Sequence, residues 1–195
     1  MRVRHLFFLV ATVLLAGCQV RPVKAPLAQD WEARRAQLQQ REHFDLHGRV
    51  AVAAGSEGFN AKLRWVQQGT RSQLSLDGPL GVGGAQVSLE GETLDVRNSR
   101  GQVLSADAAR AELETRLGFD PPLRSLRYWI LGAPDPASPA SETLDDQQRL
   151  AALGQEGWQI AYSSYRASGE EWLPERLTLQ REGVRVRVII DGWNP

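Results

Sequence analysis

The chain is expected to fold as a mainly β protein with some α. A single curved antiparallel sheet, an incomplete barrel, carries helices that lid its concave hydrophobic face. Three observations predict this. From Phe44 onward, apolar and polar residues alternate with a period of two. Gly55, Gly58, Gly69, Gly91 and Gly101 punctuate these runs at hairpin spacing. One block between two such regions carries helix start and stop signals instead, Ser105 before it and Gly118 after it.

The N-terminus comes first. Arg2 and Arg4 precede an apolar run, Leu6 to Leu15, and it is shorter than the roughly 20 residues a bilayer span requires. The run ends in Leu15-Ala16-Gly17-Cys18, which holds the only cysteine of 195 residues. This arrangement resembles the lipobox of bacterial lipoproteins. The resemblance implies that residues 1–17 are a lipoprotein signal peptide and that the Cys18 thiol carries the lipid anchor. It also brings a sorting rule: Asp after the cysteine retains a lipoprotein in the inner membrane, and Gln19 here allows export to the outer one. Residues 18–28, with Pro22 and Pro26 and no periodicity, read as a tether. Residues 29–195 have the length of a single domain.

Asp30 to Arg41 reads as an amphipathic helix with Asp30 as its N-cap. Strands follow. Leu46, Gly48, Val50 and Val52 alternate with Asp45, His47, Arg49 and Ala51; Phe59, Ala61, Leu63 and Trp65 alternate with Asn60, Lys62 and Arg64. Leu74 and Leu76, Val87 and Leu89, and Leu94 and Val96 mark three shorter strands. Ser105 to Gly118 is a helix, and Pro121-Pro122 opens a second over Leu123 to Leu131, stopped by Gly132. Ala133 to Glu142, with three prolines, reads as an exposed linker or lobe. Strands return at Leu150 to Leu153, Trp158 to Tyr165, Arg176 to Gln180 and Val184 to Trp193, the last two joined as a hairpin over Glu182-Gly183.

Charge and chemistry exclude several classes. With 23 basic and 23 acidic residues, the chain has no basic excess of the kind that nucleic acid binding requires. His43 and His47 sit four apart on a predicted strand, which separates the side chains by about 13 Å, too far for one metal ion. GxSxG and HExxH motifs are absent, and the adjacent acids Asp145-Asp146 and Glu170-Glu171 do not form a catalytic dyad. No enzyme activity and no cofactor are expected.

Asp77-Gly78-Pro79-Leu80-Gly81-Val82-Gly83-Gly84 is an unusual connection, because half its residues are Gly and yet it carries Leu80 and Val82. An exposed Leu80 would gain about 1.5–3 kcal/mol on burial in an apolar phase. Gly81-x-Gly83-Gly84 lacks the spacing of a phosphate-binding loop.

Seven blocks in order resemble the outer-membrane lipoprotein LolB family. They are Gly48-Arg49-Val50-Ala51-Val52, Leu63 to Gly69 (LRWVQQG), Pro79-Leu80-Gly81, Leu126 to Gly132 (LRYWILG), Leu144-Asp145-Asp146-Gln147, Gly157-Trp158 with Tyr162, and Asp191-Gly192-Trp193. The resemblance implies a receptor anchored in the outer membrane of a Gram-negative bacterium and facing the periplasm. Such a receptor accepts acylated lipoproteins from the periplasmic carrier LolA and inserts them into the inner leaflet of the outer membrane. It further implies Pro79, Leu80 and Gly81 as a membrane-insertion loop and a monomer that works at outer-membrane lipid. The apolar strand faces then supply a cavity: Val50, Val52, Leu63, Trp65, Leu74, Leu76, Leu89 and Val96, with Leu126, Trp129 and Ile130 from the lid. Plain core packing would use the same residue types. A lipidated, lipocalin-like carrier of another hydrophobic ligand and an envelope-assembly scaffold are the alternatives. Arg185 and Arg187 could serve as a charged docking face for the carrier.

Overall fold

The computed structural model describes residues 30–78 and 84–194. The lipobox, the tether and the Pro79-Leu80-Gly81 loop therefore lie outside the described residues. Helix α1 (Trp31–Gln39) leads into six strands: β1 (His43–Ala54), β2 (Glu57–Gln68), β3 (Arg71–Asp77), β4 (Ala85–Glu90), β5 (Thr93–Arg97) and β6 (Val103–Ser105). Helices α2 (Ala106–Leu117) and α3 (Leu123–Trp129) interrupt the meander. It resumes with β7 (Ala140–Leu144), β8 (Leu150–Gln155), β9 (Trp158–Ser168), β10 (Glu171–Arg181) and β11 (Val184–Asn194).

All eleven strands form one sheet in the order β6-β5-β4-β3-β2-β1-β11-β10-β9-β8-β7. Each half is a simple meander, and the antiparallel pairing of β1 with β11 joins them. The period-two reading holds along β1, where Phe44, Leu46, Gly48, Val50 and Val52 are buried on one face. At Gly48 the register against β11 shifts, and a β-carbon there would collide with the Ile189 carbonyl oxygen. Only glycine allows that approach. The sheet does not close, since β6 and β7 remain edges.

Its curvature follows from its lining. Val87 on β4 and Trp158 on β9 line one small cavity although six strand intervals separate them. In a flat sheet they would stand about 29 Å apart at ~4.8 Å per strand. The sheet therefore wraps around its apolar face.

Several local expectations are corrected. Ala133 to Glu142 is exposed only in its later part: Ala133, Pro134 and Asp135 are buried, Pro136, Ala137 and Pro139 to Ser141 are exposed, and β7 begins at Ala140. Gln155 explains this burial. Its carboxamide accepts from the Asp135 N–H (2.9 Å) and donates to the carbonyls of Asp135 and Ser138 (2.8 Å each), while prolines 134, 136 and 139 have no N–H to satisfy. Asp30 and Ser105 occupy N-cap positions, but neither side chain makes a capping bond. Ser105 donates to Asp95 on the neighbouring strand instead. Gly118 closes α2 as expected, left-handed at φ 78° with its N–H on the Glu114 carbonyl.

Helix α1 is bolted to the second half of the sheet. Trp31 Nε1 donates to Glu142 (2.6 Å), Gln39 to the Pro134 carbonyl (2.9 Å) and Arg34 to the Trp172 carbonyl. Arg41 pairs with Glu171. Arg34 is buried, and desolvation pulls its guanidinium pKa below the ordinary value.

Candidate functional site

The concave face encloses an apolar cavity of about 100 Å³. Its floor comes from both halves of the sheet. Val50 and Val52 on β1, Phe59, Leu63 and Trp65 on β2, and Leu74 and Leu76 on β3 face Leu177 and Leu179 on β10 and Val186 and Val188 on β11. The lid supplies Leu113 and Leu117 from α2, Phe119, Pro121 and Pro122 from the connection, Leu123 and Leu126 from α3, and Ile130 at its C-cap. No titratable side chain lines it. The nearest buried phenol, Tyr162, donates to the Trp129 carbonyl (2.9 Å), and burial pushes its pKa well above the usual value.

Most of the residues that the sequence marks for a cavity meet here: Val50, Val52, Leu63, Trp65, Leu74, Leu76, Leu126 and Ile130. Three do not. Val96 is fully buried in a separate cluster with Val87, Ala109 and Leu113, under α2. Leu89 flanks that cluster and borders a partly polar groove. Trp129 is fully buried with its Nε1 donating to Gln155 (2.7 Å), so its ring packs as core. Alternation along a strand gives the face but not which end of that face is covered by helix. Residues 117–123, which no strand pattern could flag, make up much of the lid.

The two lid helices are held very differently. Beyond the Trp129 bonds, Ser125 of α3 lies within hydrogen-bond distance of Asp135 (2.8 Å) and Glu156 (2.9 Å). Helix α2 buries only Ala109 and Leu113 and packs on β5 and β6 at the edge of the sheet. The described flanks of the 79–83 connection, Asp77-Gly78 and Gly84-Ala85, stand beside Leu76, whose cross-strand partners are Leu63 and Ala85. These two flanks thus stand at the edge of the apolar floor. On the opposite face Arg185 and Arg187 are exposed. Asp145 is a turn clasp. Partial burial pushes its pKa up, but hydrogen bonds from the Arg149 side chain and the backbone N–H groups of Arg149 and Gln147 outweigh this and hold it low.

A second depression of about 660 Å³ adjoins the cavity, and unlike the cavity it has charged and polar residues among its lining. Pro121, Pro122 and Leu123 line both spaces.

Residues 42–193 match the family model described as outer membrane lipoprotein LolB. An outer-membrane lipoprotein LolB of Nitrosococcus oceani is 35% identical over 189 residues, covering 95% of this chain and 94% of its own. That of Pseudomonas putida is 35% identical, covering 100% and 98%. That of Pseudomonas aeruginosa is 32% identical with the same coverage. Among solved structures, a DUF1329 family protein from Desulfovibrio piger superposes with a TM-score of 0.58 at 8% identity, covering 84% of this chain and 90% of its own. A LolA superfamily protein from Nitrosomonas europaea gives 0.50 at 10% identity, covering 86% and 94%. These two likenesses concern the fold alone.

Proposed function

Since this chain belongs to the LolB family of outer-membrane lipoproteins, we propose that it takes acylated lipoproteins from a LolA-like periplasmic carrier and inserts them into the inner leaflet of the outer membrane. In this reading Cys18 holds the protein to that membrane from the periplasmic side, it acts as a monomer, and it performs no catalysis. The observation that carries the reading is the wholly apolar cavity beneath a lid, with the flanks of the Leu80 loop at the edge of its floor.

Physical chemistry supports each step. Acyl chains exposed to the aqueous periplasm lose about 0.8 kcal/mol per methylene, so they need an apolar enclosure in transit. The cavity is smaller than the ~150 Å³ apolar void that admits benzene. The lid must therefore move to take a chain. Helix α2, which packs on β5 and β6 at the edge of the sheet, is the part that swings, while α3 stays fixed by its bonds to Gln155, Asp135 and Tyr162.

The test uses the chain with Cys18→Ala and a carrier loaded with an acylated lipoprotein. Passage of cargo from the carrier to this chain supports the proposal. Binding of free lipid without attack on the carrier complex would identify a carrier of some other ligand, and binding of neither would identify a scaffold.

A further inference from the structure

The groove beside the cavity mixes charged, polar and apolar lining, and it shares the Pro121–Leu123 wall with the space proposed to hold acyl chains. Its volume lies within the ~300–1,000 Å³ of small-ligand sites. It runs between the β2–β3 and β4–β5 turns, at Thr70 and Glu92, and the face of α3 that carries Ser125 and Tyr128, with Ala137 beyond. A second link crosses the same boundary. Trp158 lines the cavity, and Arg181, stacked over its ring at 4.8 Å, lines the groove.

Two residues at these spaces each hold a buried donor without a hydrogen-bond partner: Trp158, which lines the cavity, at Nε1, and Arg127, which lines the groove, at Nε. A buried N–H left unpaired is unfavourable, so each is a place for a ligand acceptor. An acylated cysteine changes character along its length: acyl chains without acceptors, then ester and amide carbonyls that accept, then a hydrophilic peptide.

We propose that the acylated cysteine of the cargo straddles the Pro121–Leu123 wall, with its acyl chains in the cavity, an ester carbonyl on the Trp158 N–H, and the hydrophilic peptide that follows in the groove. This rests on the function proposed above. The groove faces its occupant with both charge signs, Arg110, Arg124, Arg127 and Arg181 against Glu92, Asp120, Asp135 and Glu156, so the three carboxylates other than the Asp120 partner of Arg110 stand against three guanidiniums. Such a lining suits uncharged polar side chains and backbone amides, whereas a phosphate headgroup would meet three carboxylates. The Arg124–Glu92 pair that crosses the groove at 3.0 Å is highly exposed on both sides, and a pair of that kind is weak enough to part. Rounding a segment ~10 Å across takes about three extended residues, so cargo positions 2 to 5 should lie in the groove.

The experiment uses the full chain with Cys18→Ala and three synthetic probes. The first is S-diacylglyceryl, N-palmitoyl cysteine bearing a Ser/Asn hexapeptide, the second the same lipid without the peptide, and the third the lipopeptide with ether in place of ester linkages. The peptide should tighten binding about tenfold, and Ala137→Trp and Thr70→Trp, at exposed groove positions, should abolish that gain while leaving the peptide-free lipid unaffected. Trp158→Phe should weaken the ester probe about five- to tenfold more than it weakens the ether probe, and equal loss for the two would remove the ester contact. A photo-crosslinker at Arg124 should capture peptide positions 2 to 5. Equal binding of lipid and lipopeptide, or capture of acyl chain or of residues 19–28 instead, overturns the groove assignment and leaves the receptor function standing. Binding of no probe by the unsubstituted chain overturns the receptor function itself.

Discussion

An apolar space that serves cargo and one that is merely a packing defect respond oppositely to being filled, and Val50→Phe separates them. Val50 lies at the centre of the sheet on β1, between Ala61 and Val188, and lines the cavity at 9% exposure. An empty apolar volume of about 100 Å³ destabilises a fold by about 2.4 kcal/mol at ~24 cal/mol per Å³. A phenyl ring that enters this volume recovers part of that, about 1–2 kcal/mol, which raises the Tm by roughly 2–8 °C at ~2–4 °C per kcal/mol. The same ring occupies the space an acyl chain must enter. Thermal unfolding followed by circular dichroism gives the first quantity, and transfer of a labelled acylated lipoprotein from carrier to receptor gives the second. The expected result is a higher Tm with transfer reduced at least tenfold. A variant that is more stable and transfers cargo at the unsubstituted rate would refute the role of the cavity. A fall in Tm would show that the cavity cannot admit a ring and would refute the volume argument.

Three further substitutions probe other parts of the molecule. Leu80→Glu should leave the Tm and cargo uptake unchanged and block delivery into vesicles, because a charge replaces the apolar side chain at the loop; full delivery would reject the loop's role. Gln155→Ala strands the Trp129 N–H, the Asp135 N–H and two carbonyls, so urea unfolding should report a loss of about 3–5 kcal/mol. Asp145→Asn should lose about 1.5–3 kcal/mol at pH 7, because the carboxylate accepts from Arg149 and from two backbone N–H groups. Its folded pKa is depressed, so the stabilisation is complete above the unfolded value near ~3.9 and disappears as pH falls through the lower folded value. The gap between Asp145→Asn and the unsubstituted chain in urea midpoints should close below that range.

The strands with long alternation were legible because one face of each is buried along its whole length, as in β1 and β2. β6 and β7 were not. Three residues of β6 are too few to show a period, and Ala-Ser-Glu-Thr-Leu in β7 has no apolar face to recognise. The proline-rich segment misled for a different reason: the burial of its first residues depends on a single distant side chain, Gln155, which satisfies a backbone that has few donors of its own. In the cavity, strand residues such as Val50 and Leu63 were readable from alternation, but Val96 obeys the same alternation and lies beneath α2. Only the placement of the helices decides between those two fates, and that is a tertiary property.

In the proposed cycle the small resting volume of the cavity sets the direction of transfer. A methylene gains about the same ~0.8 kcal/mol whether it leaves water for the cavity or for a bilayer, so this contribution cancels when a chain moves from one to the other. What does not cancel is the lid. A chain held by this protein keeps α2 displaced from β5 and β6, with Ala109 and Leu113 pulled out of their cluster, and release restores that packing. Affinity for cargo is thus lowered by the fraction of molecules that are open at rest. Tighter packing of α2 should speed delivery to the membrane and slow acceptance from the carrier. Loosening it, as by Leu113→Ala, should do the reverse, and a lipoprotein that accumulates on the variant during a delivery assay would be its signature.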